Sequence, residues 1–590
     1  MVFSTGRGDD LSWGRSIKGF SLQVLTGRWF MMFSSFMLMS VSGASYMFSL
    51  FSQDIKLVLG YDQSTLNLLS FFQELGASIG IHAGLIYEVT PPWFILTIGG
   101  VLNFAGYFVI WLVVTSKIAK PQLWQMCFYL FIGANSHSAT NTGALVTSVK
   151  NFPSSRGVVL GLLTGYNGLS AAIITQLYYA FYGNDSKFLI FLMAWLPTAA
   201  VFLFLPVIRI HNTVQQPNDT KALYRFLYLT LVLAGFLMFV TVAPQFFTFS
   251  QFQYRVTTTV MLLLLILPLS VVIVEEHKIW KRKLENINRE DSQKLLENYP
   301  NIARENCYQE KSSQAPQEEV SFWENIFNPP ARGEDHTILQ ATFTLDMVLL
   351  FLTSICSLGS NMTMVTNLSQ IGISLGYPSH TITTFVSLTS IWMYLGKIVQ
   401  GVVSEFIILK YRVPRPLMLT SLLLLSCVGH LLVAFNVPNG LYVASIVIGF
   451  CFGANWPLIY SVISELFGLK HYSTLYNFGS LAGPIGSYLL SVRVAGYLYD
   501  REALRQMEAK GQKTSPGEEL NCNGEECFKL AFIIITAVCL LGALLSLILV
   551  FRTKKLYRSD LYKRFKEAKS DETETGSCCN RIESAAANED

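Results

Sequence analysis

Runs of about 20 apolar residues, parted by short polar or basic segments, recur along most of the chain. Each run is long enough to cross ~30 Å of hydrocarbon as a helix. In lipid the backbone must satisfy its own polar groups, and segments of this length do so as helices. Fourteen spans are expected, at 29–51, 66–87, 93–114, 123–146, 158–179, 188–208, 226–247, 257–274, 345–368, 382–408, 417–435, 442–466, 473–499 and 530–551. The longest polar interruption, 275–340, is rich in Glu, Lys, Asn and Gln and reads as a flexible cytosolic linker. The expected organisation is therefore a cytosolic segment at 1–28, a six-helix bundle at 29–208 and two additional helices at 209–274. The linker follows, then a second six-helix bundle at 341–553 and a cytosolic tail at 554–590. The first 28 residues are polar and basic, and the apolar run after them exceeds a signal-peptide core, so no cleavable leader is expected.

Within span two, residues 73–88 read QELGASIGIHAGLIYE. Gly76, Gly80 and Gly84 fall at i, i+4, i+8, on one helical stripe. Small-residue stripes let membrane helices approach backbone to backbone. The ladder recurs as Gly157, Gly161, Gly165 and as Gly479, Gly483, Ser487. Glu74, Ser78 and His82 form a polar stripe beside the first ladder. Pro484 is expected to kink span thirteen by removing a helix bond.

Composition agrees with a polytopic membrane protein: 51% of residues are hydrophobic and only 14% charged, against about a quarter charged in soluble domains. The net charge of +4 gives no reason to expect a nucleic-acid partner; membrane lipid and a small-molecule solute are the partners expected. Basic residues matter through their placement. Arg15, Lys18, Lys150, Arg156, Arg209, Lys278, Lys410, Arg412, Lys554 and Lys555 all fall on one side of the expected spans. By the positive-inside rule that side is cytoplasmic, with both termini inside, in the plasma membrane or an endomembrane. Arg493 and Lys397 are cations inside later spans with two readings: binding an anionic substrate, which suits a carboxylate carrier, or, since both lie towards a membrane face, snorkelling, which is favoured. Cys522 and Cys527 in NCNGEEC suggest a disulfide if their loop faces an oxidising side. No phosphate-binding glycine loop, metal cluster or nucleophile–base pair stands in a soluble segment, so neither an enzyme nor a cofactor is expected.

The two blocks repeat each other. Gly84-Leu-Ile-Tyr-Glu88 ends span two, and Gly401-Val-Val-Ser-Glu405 ends span ten. Tyr166-Asn167 follows Phe152-Pro153 much as Tyr476-Asn477 follows Phe467-Gly468. Such order argues for parallel duplicated halves. The two copies resemble the loop signature of the major facilitator superfamily, with Glu in place of Asp; the second keeps the basic tail in KYRVPR and the first lacks it. More narrowly, RWFMMF, FQELGASIGIHAGLIYEVTPPW, NFPSSRGVVLGLLTGYNGLSAAI, ELFGLKHYSTLYN, LAGPIGSYL and CNGEECF resemble the plant nodulin-like branch of the nuclear-fusion-defective type. The resemblance implies an all-α major facilitator fold, two six-helix bundles plus two extra helices, working as a carrier by alternating access. At a distance it is similar to carriers of small organic anions.

Polarity marks the candidate chemistry. Span one carries Tyr46 among serines, span four carries Asn135, His137 and Asn141, span nine Asn361, and span twelve Asn455 and Trp456. With Asn167 and Asn477 from the repeat, these are the candidate cavity and substrate residues. Each Ser or Thr among them also has a plain role, bonding its own helix backbone. Glu74 is the expected proton-coupling residue, because lipid burial favours the neutral carboxyl and links proton uptake to movement. His82 and His137 are candidates for a relay. Glu88, Arg156, Glu405 and Arg412 are expected to form cytoplasmic latches. The competing class is a membrane sensor or scaffold on the same fold, with the linker and tail as its output surface.

Overall fold

The computed structural model describes residues 19–43, 63–182, 186–211, 219–243, 249–296, 329–509 and 522–558, with isolated positions between 48 and 61. Tyr46 lies outside the described residues. Every regular element among them is a helix. Among the described residues ten helices are long and apolar enough to cross a membrane, and an eleventh counts if Gly19–Thr26 and Arg28–Val41, bent by 50°, form one span. Fourteen single apolar helices are therefore not found among the described residues. The shortfall falls on spans one, two, four and thirteen, which are polar, short or broken.

The breaks in spans two and thirteen have local causes. Span two is Gln63–Ser78 and then Ile81–Val89. The Asn135 amide donates to the carbonyls of Gly76 at 3.0 Å and Ile79 at 2.7 Å. A side chain from span four thus takes acceptors that the interrupted helix leaves free. Span four passes from Leu123–Asn141 into a π turn at Thr142–Val146. Span thirteen splits at Leu481 into Tyr472–Ser480 and Ala482–Ser487. Pro484 has no N–H for the carbonyl of Ser480, so the ladder parts there.

The same packing pattern occurs twice. Spans two and four, three and four, three and six, and one and five pack in the first half. Ten and twelve, eleven and twelve, eleven and fourteen, and nine and thirteen pack in the second. The halves meet most extensively where span five (Arg156–Tyr182) crosses span ten (Ser379–Tyr411). There the ladder of Gly157, Gly161 and Gly165 faces span ten rather than lipid. A Cβ on Gly401 would sit 2.7 Å from the Gly157 carbonyl oxygen and from the Gly161 Cα, well inside the ~3.5–4.0 Å of carbon contact. A Cβ on Gly84 would come as close, 2.7 Å, to the backbone of Ser473 and Thr474. The ladder at Gly479 and Gly483 packs within the later half, on Ile463 and Trp456.

The linker expectation needs correcting at both ends. The helix Pro268–Leu296 runs through residue 275 and beyond, and Glu275 and Glu276 are buried. Glu276 accepts from the Trp29 amide at 3.2 Å and from Gln23 at 3.1 Å. Glu275 pairs with Arg225 at 2.6 Å and Lys278 at 2.7 Å. These contacts, with the Arg28–Asp219 ion pair, fasten the additional helices to span one. At the far end Gly333 donates to Leu466 at 2.9 Å and His336 to Phe467 at 3.1 Å, so the chain from residue 329 lies on the end of span twelve.

Candidate functional site

The basic end of the bundle is closed by contacts between the halves. Arg156, with no exposed surface, donates to the carbonyl of Ser464 at 2.9 Å and its hydroxyl at 3.1 Å. It also lies 3.9 Å from Glu465. Glu88 receives His471 at 2.6 Å, the Ser473 hydroxyl at 3.1 Å, the Thr474 amide at 3.2 Å and the Thr474 hydroxyl. One carboxylate thus binds the start of span thirteen in the other half. Glu405 has a different partner from the one expected. It binds Arg415 at 2.7 Å within its own half, and Arg415 also binds Glu465 at 2.8 Å. Tyr557 donates to Glu465 as well, at 2.8 Å. Arg412 lies outside this cluster: it caps span ten in the left-handed conformation (φ 53°), is exposed, and reaches only the Arg558 carbonyl at 3.3 Å. Past that cap the chain turns back, which carries Arg415 and not Arg412 into the interior.

Above the seal lies a cavity of about 130 Å³, ~10 times the least that one water needs. Both halves line it. Glu74, Ser78, His137, Asn141, Thr164 and Asn167 come from the first half; Lys397, Trp456, Tyr460, Tyr476, Asn477 and Ser480 come from the second. The expected Asn141, Asn167, Trp456 and Asn477 are among them, and the second helix of each half contributes too, through Glu74, Ser78 and Lys397. Glu74 is half-buried and is one wall of the cavity. Lys397 is only 3% exposed, so the expectation that it snorkels to a membrane face is wrong. Neither makes an ion pair or hydrogen bond among the described residues. Arg493, by contrast, is exposed.

The cavity amides are oriented by neighbours. His137 Nδ1 donates to the Ser42 carbonyl at 2.8 Å, and its Nε2 accepts from the Asn141 amide at 2.9 Å. This pairing suits a neutral ring whose two nitrogens are both occupied. It leaves the buried Asn141 Oδ1 without a partner at the cavity wall. Asn167 donates to Ser42 at 3.0 Å, and Asn477 reaches across the halves to Thr142 at 2.8 Å. Trp456, Tyr460 and Tyr476 form a continuous aromatic wall, with ring centroids 5.8 Å and 4.4 Å apart.

Four expected site residues lie elsewhere. His82 faces Asn135 at 2.9 Å and does not line the cavity, because the break at Gly80 turns its helix segment out of phase with Glu74. Asn135 is spent on clamping that break. Asn361 is buried within the second half and donates to Ser357 at 2.9 Å in its own helix. Asn455 is buried one position from Trp456 and does not line the cavity. Cys522 and Cys527 are joined by a disulfide, Cα atoms 5.9 Å apart. Lys397 reads in sequence as a candidate anion-binding cation, set behind the snorkelling reading. Its signal was present: Lys397, Gly401 and Glu405 form an i, i+4, i+8 stripe, the face that meets the other half.

Residues 28–273 match the nodulin-like family, and residues 341–559 match the NFD4 C-terminal domain. The chain is 24% identical over 549 residues to Protein NUCLEAR FUSION DEFECTIVE 4 of Arabidopsis thaliana, spanning 91% of each. It is 24% identical over 239 residues to Probable transporter MCH1 of Yarrowia lipolytica, 38% of this chain and 46% of that one. A solved double-tryptophan variant of XylE overlays it with a TM-score of 0.51 at 12% identity, covering 90% of this chain and 98% of that one. XylE is a major facilitator superfamily proton:xylose symporter, and at that identity the likeness speaks for fold alone. Two packed halves, their duplicated helix pattern and these two matched domains together make the chain a multi-pass membrane protein with a nodulin-like domain and an NFD4 C-terminal domain, built on the major facilitator fold.

Proposed function

We propose that the chain is a secondary transporter of small organic anions that works by alternating access and is coupled to protons. The observation that carries this reading is Lys397: a buried cation with no ion-pair partner among the described residues, in a cavity shared by both halves. An ammonium inside a membrane is costly without a partner. An anionic solute in the cavity supplies one. The unpaired Asn141 oxygen and the aromatic wall then contact the rest of the solute. Glu74, on the opposite half, is the group that takes up the proton, and His137 orients the Asn141 amide rather than relaying protons. The basic end is cytoplasmic by the charge rule, so the form described is sealed towards the cytosol. Matching transporter names among the relatives, MCH1 above all, support the general class.

The test is uptake into proteoliposomes of a panel of labelled organic acids under an imposed pH gradient. Wild type is expected to accumulate at least one acid. Glu74→Gln is expected to keep exchange without gradient-driven accumulation, and Lys397→Gln to lose both. If wild type moves none of the panel, the sensor or scaffold reading takes over. If Glu74→Gln accumulates as wild type does, the coupling role is wrong.

A further inference from the structure

A second pocket, of about 400 Å³, lies at the basic end, away from the central cavity. Residues 329–346 form one wall and the end of span fourteen the other. Its centre is Asp346, whose side chain is 8% exposed. Arg332 and Arg552 each donate Nε–H to this one carboxylate, one to each oxygen. Their side chains are 38% and 35% exposed. No other hydrogen bond to either guanidinium is made among the described residues. The arrangement holds two guanidiniums rigidly by their Nε atoms and leaves the Nη groups of both available. Two cations share one anion, so the pocket keeps a net positive charge. Asp346 also sits in the first turn of span nine, where a helix end favours a carboxylate.

Paired Nη groups match the oxygens of a phosphate in two-point contact. The Gln340 and His336 side chains line the same space. His336 donates Nδ1–H to the Glu334 carbonyl at 2.9 Å, which leaves its Nε2 for the pocket side. The rim is apolar: Phe343 and Leu345 line the pocket and are 60% and 53% exposed. A charged pocket whose rim continues into exposed apolar side chains at the end of a membrane bundle matches a lipid with an anionic head and acyl tails. We propose that this pocket binds the phosphate head of an anionic phospholipid, held between Arg332 and Arg552, with its chains along Phe343 and Leu345. The site is independent of the central cavity and of what the protein carries.

The experiment is native mass spectrometry of the purified full chain in a nonionic detergent. Probes are dioleoyl phosphatidic acid, dioleoyl phosphatidylcholine and the soluble glycerol 3-phosphate. Phosphatidic acid is expected to bind at least ~10-fold more tightly than phosphatidylcholine, as expected for charge-assisted bidentate contacts. That preference is expected to vanish in Arg332→Gln/Arg552→Gln and to persist in Lys554→Gln/Lys555→Gln, which removes exposed charge nearby. Equal loss in the lysine variant would overturn the site in favour of a diffuse basic surface. Glycerol 3-phosphate binding as tightly as the lipid would overturn the lipid source and assign a free phosphate. Should the double glutamine chain fail to elute as a single species, Arg332→Lys/Arg552→Lys keeps the charges but not the forks. It is expected to weaken phosphatidic acid by about 3- to 10-fold; unchanged affinity there overturns the proposal.

Discussion

Gly401→Leu tests whether the seal at the basic end is a movable closure. A Cβ at residue 401 would lie 2.7 Å from the Gly157 oxygen and the Gly161 Cα, both of them backbone atoms. Neither can rotate away. Reaching ordinary carbon contact requires spans five and ten to part by roughly 1 Å, and the rest of a leucine side chain requires more. The Arg156 bonds to Ser464, at 2.9 and 3.1 Å, then pass beyond hydrogen-bond length. Glu88 and its partners on span thirteen are held by the same approach of the halves. Hydrogen bonds to charged groups are worth about 1.5–3 kcal/mol each, so losing two costs the sealed form about 3–6 kcal/mol. A shift of ~5.5 kcal/mol is enough to invert a 99:1 population. The assay is maleimide labelling of Thr164→Cys, a cavity residue, with Cys307, Cys578 and Cys579 replaced by serine. The remaining free cysteines, Cys127, Cys356, Cys427, Cys451 and Cys539, are buried. An impermeant reagent on the basic side is expected to label at least ~10-fold faster when Gly401→Leu is present, a change of only ~1.4 kcal/mol. Unchanged labelling in a well-folded Gly401→Leu chain would refute the reasoning.

Two further outcomes follow from buried and partly buried charge. Arg415→Met leaves Glu405 and Glu465 facing each other with Arg156 as the nearest cation; it is expected to cost about 3–5 kcal/mol, read as a fall in thermal midpoint, whereas Arg412→Ala, an exposed site, moves it little. Burial lowers the pKa of His211, in the loop after span six, below its ordinary 6.5, while its Nε2 bonds the Thr26 carbonyl. The unfolded chain therefore binds that proton first, so the stability His211 contributes is present above pH 6.5 and lost as the pH falls below it. His211→Gln should flatten the acid-side slope of the thermal midpoint; an unaltered slope counts against this.

The period of apolar residues made the helices legible, and the spacing of small residues made the contact face of the halves legible. Gly84 and Gly161 were readable because close approach admits no side chain there, whatever the partner. The cavity was legible only in part. Glu74, Asn141 and Trp456 could be picked by polarity, but Asn135 and Asn361 have the same polarity and serve backbone carbonyls. Only the position of the partner distinguishes the two uses. His82 was misplaced because a continuous helix was assumed, and the interruption at Gly80 depends on a side chain 56 residues from Ile79 in sequence. Glu275 and Glu276 looked like linker charge because composition does not reveal that Arg225 and the Trp29 amide await them.

The interruption of span two has a mechanical consequence. Its outer piece, Gln63–Ser78, packs on span four of its own half, while the inner piece, Ile81–Val89, leans on the start of span thirteen in the other. A continuous rod tied to both bodies would have to bend or shear whenever they swung apart. This one is already jointed between its two attachments, and Asn135 caps the stump. The short inner segment can stay with its neighbour, like a door leaf left on the far post, while the rest of the frame swings.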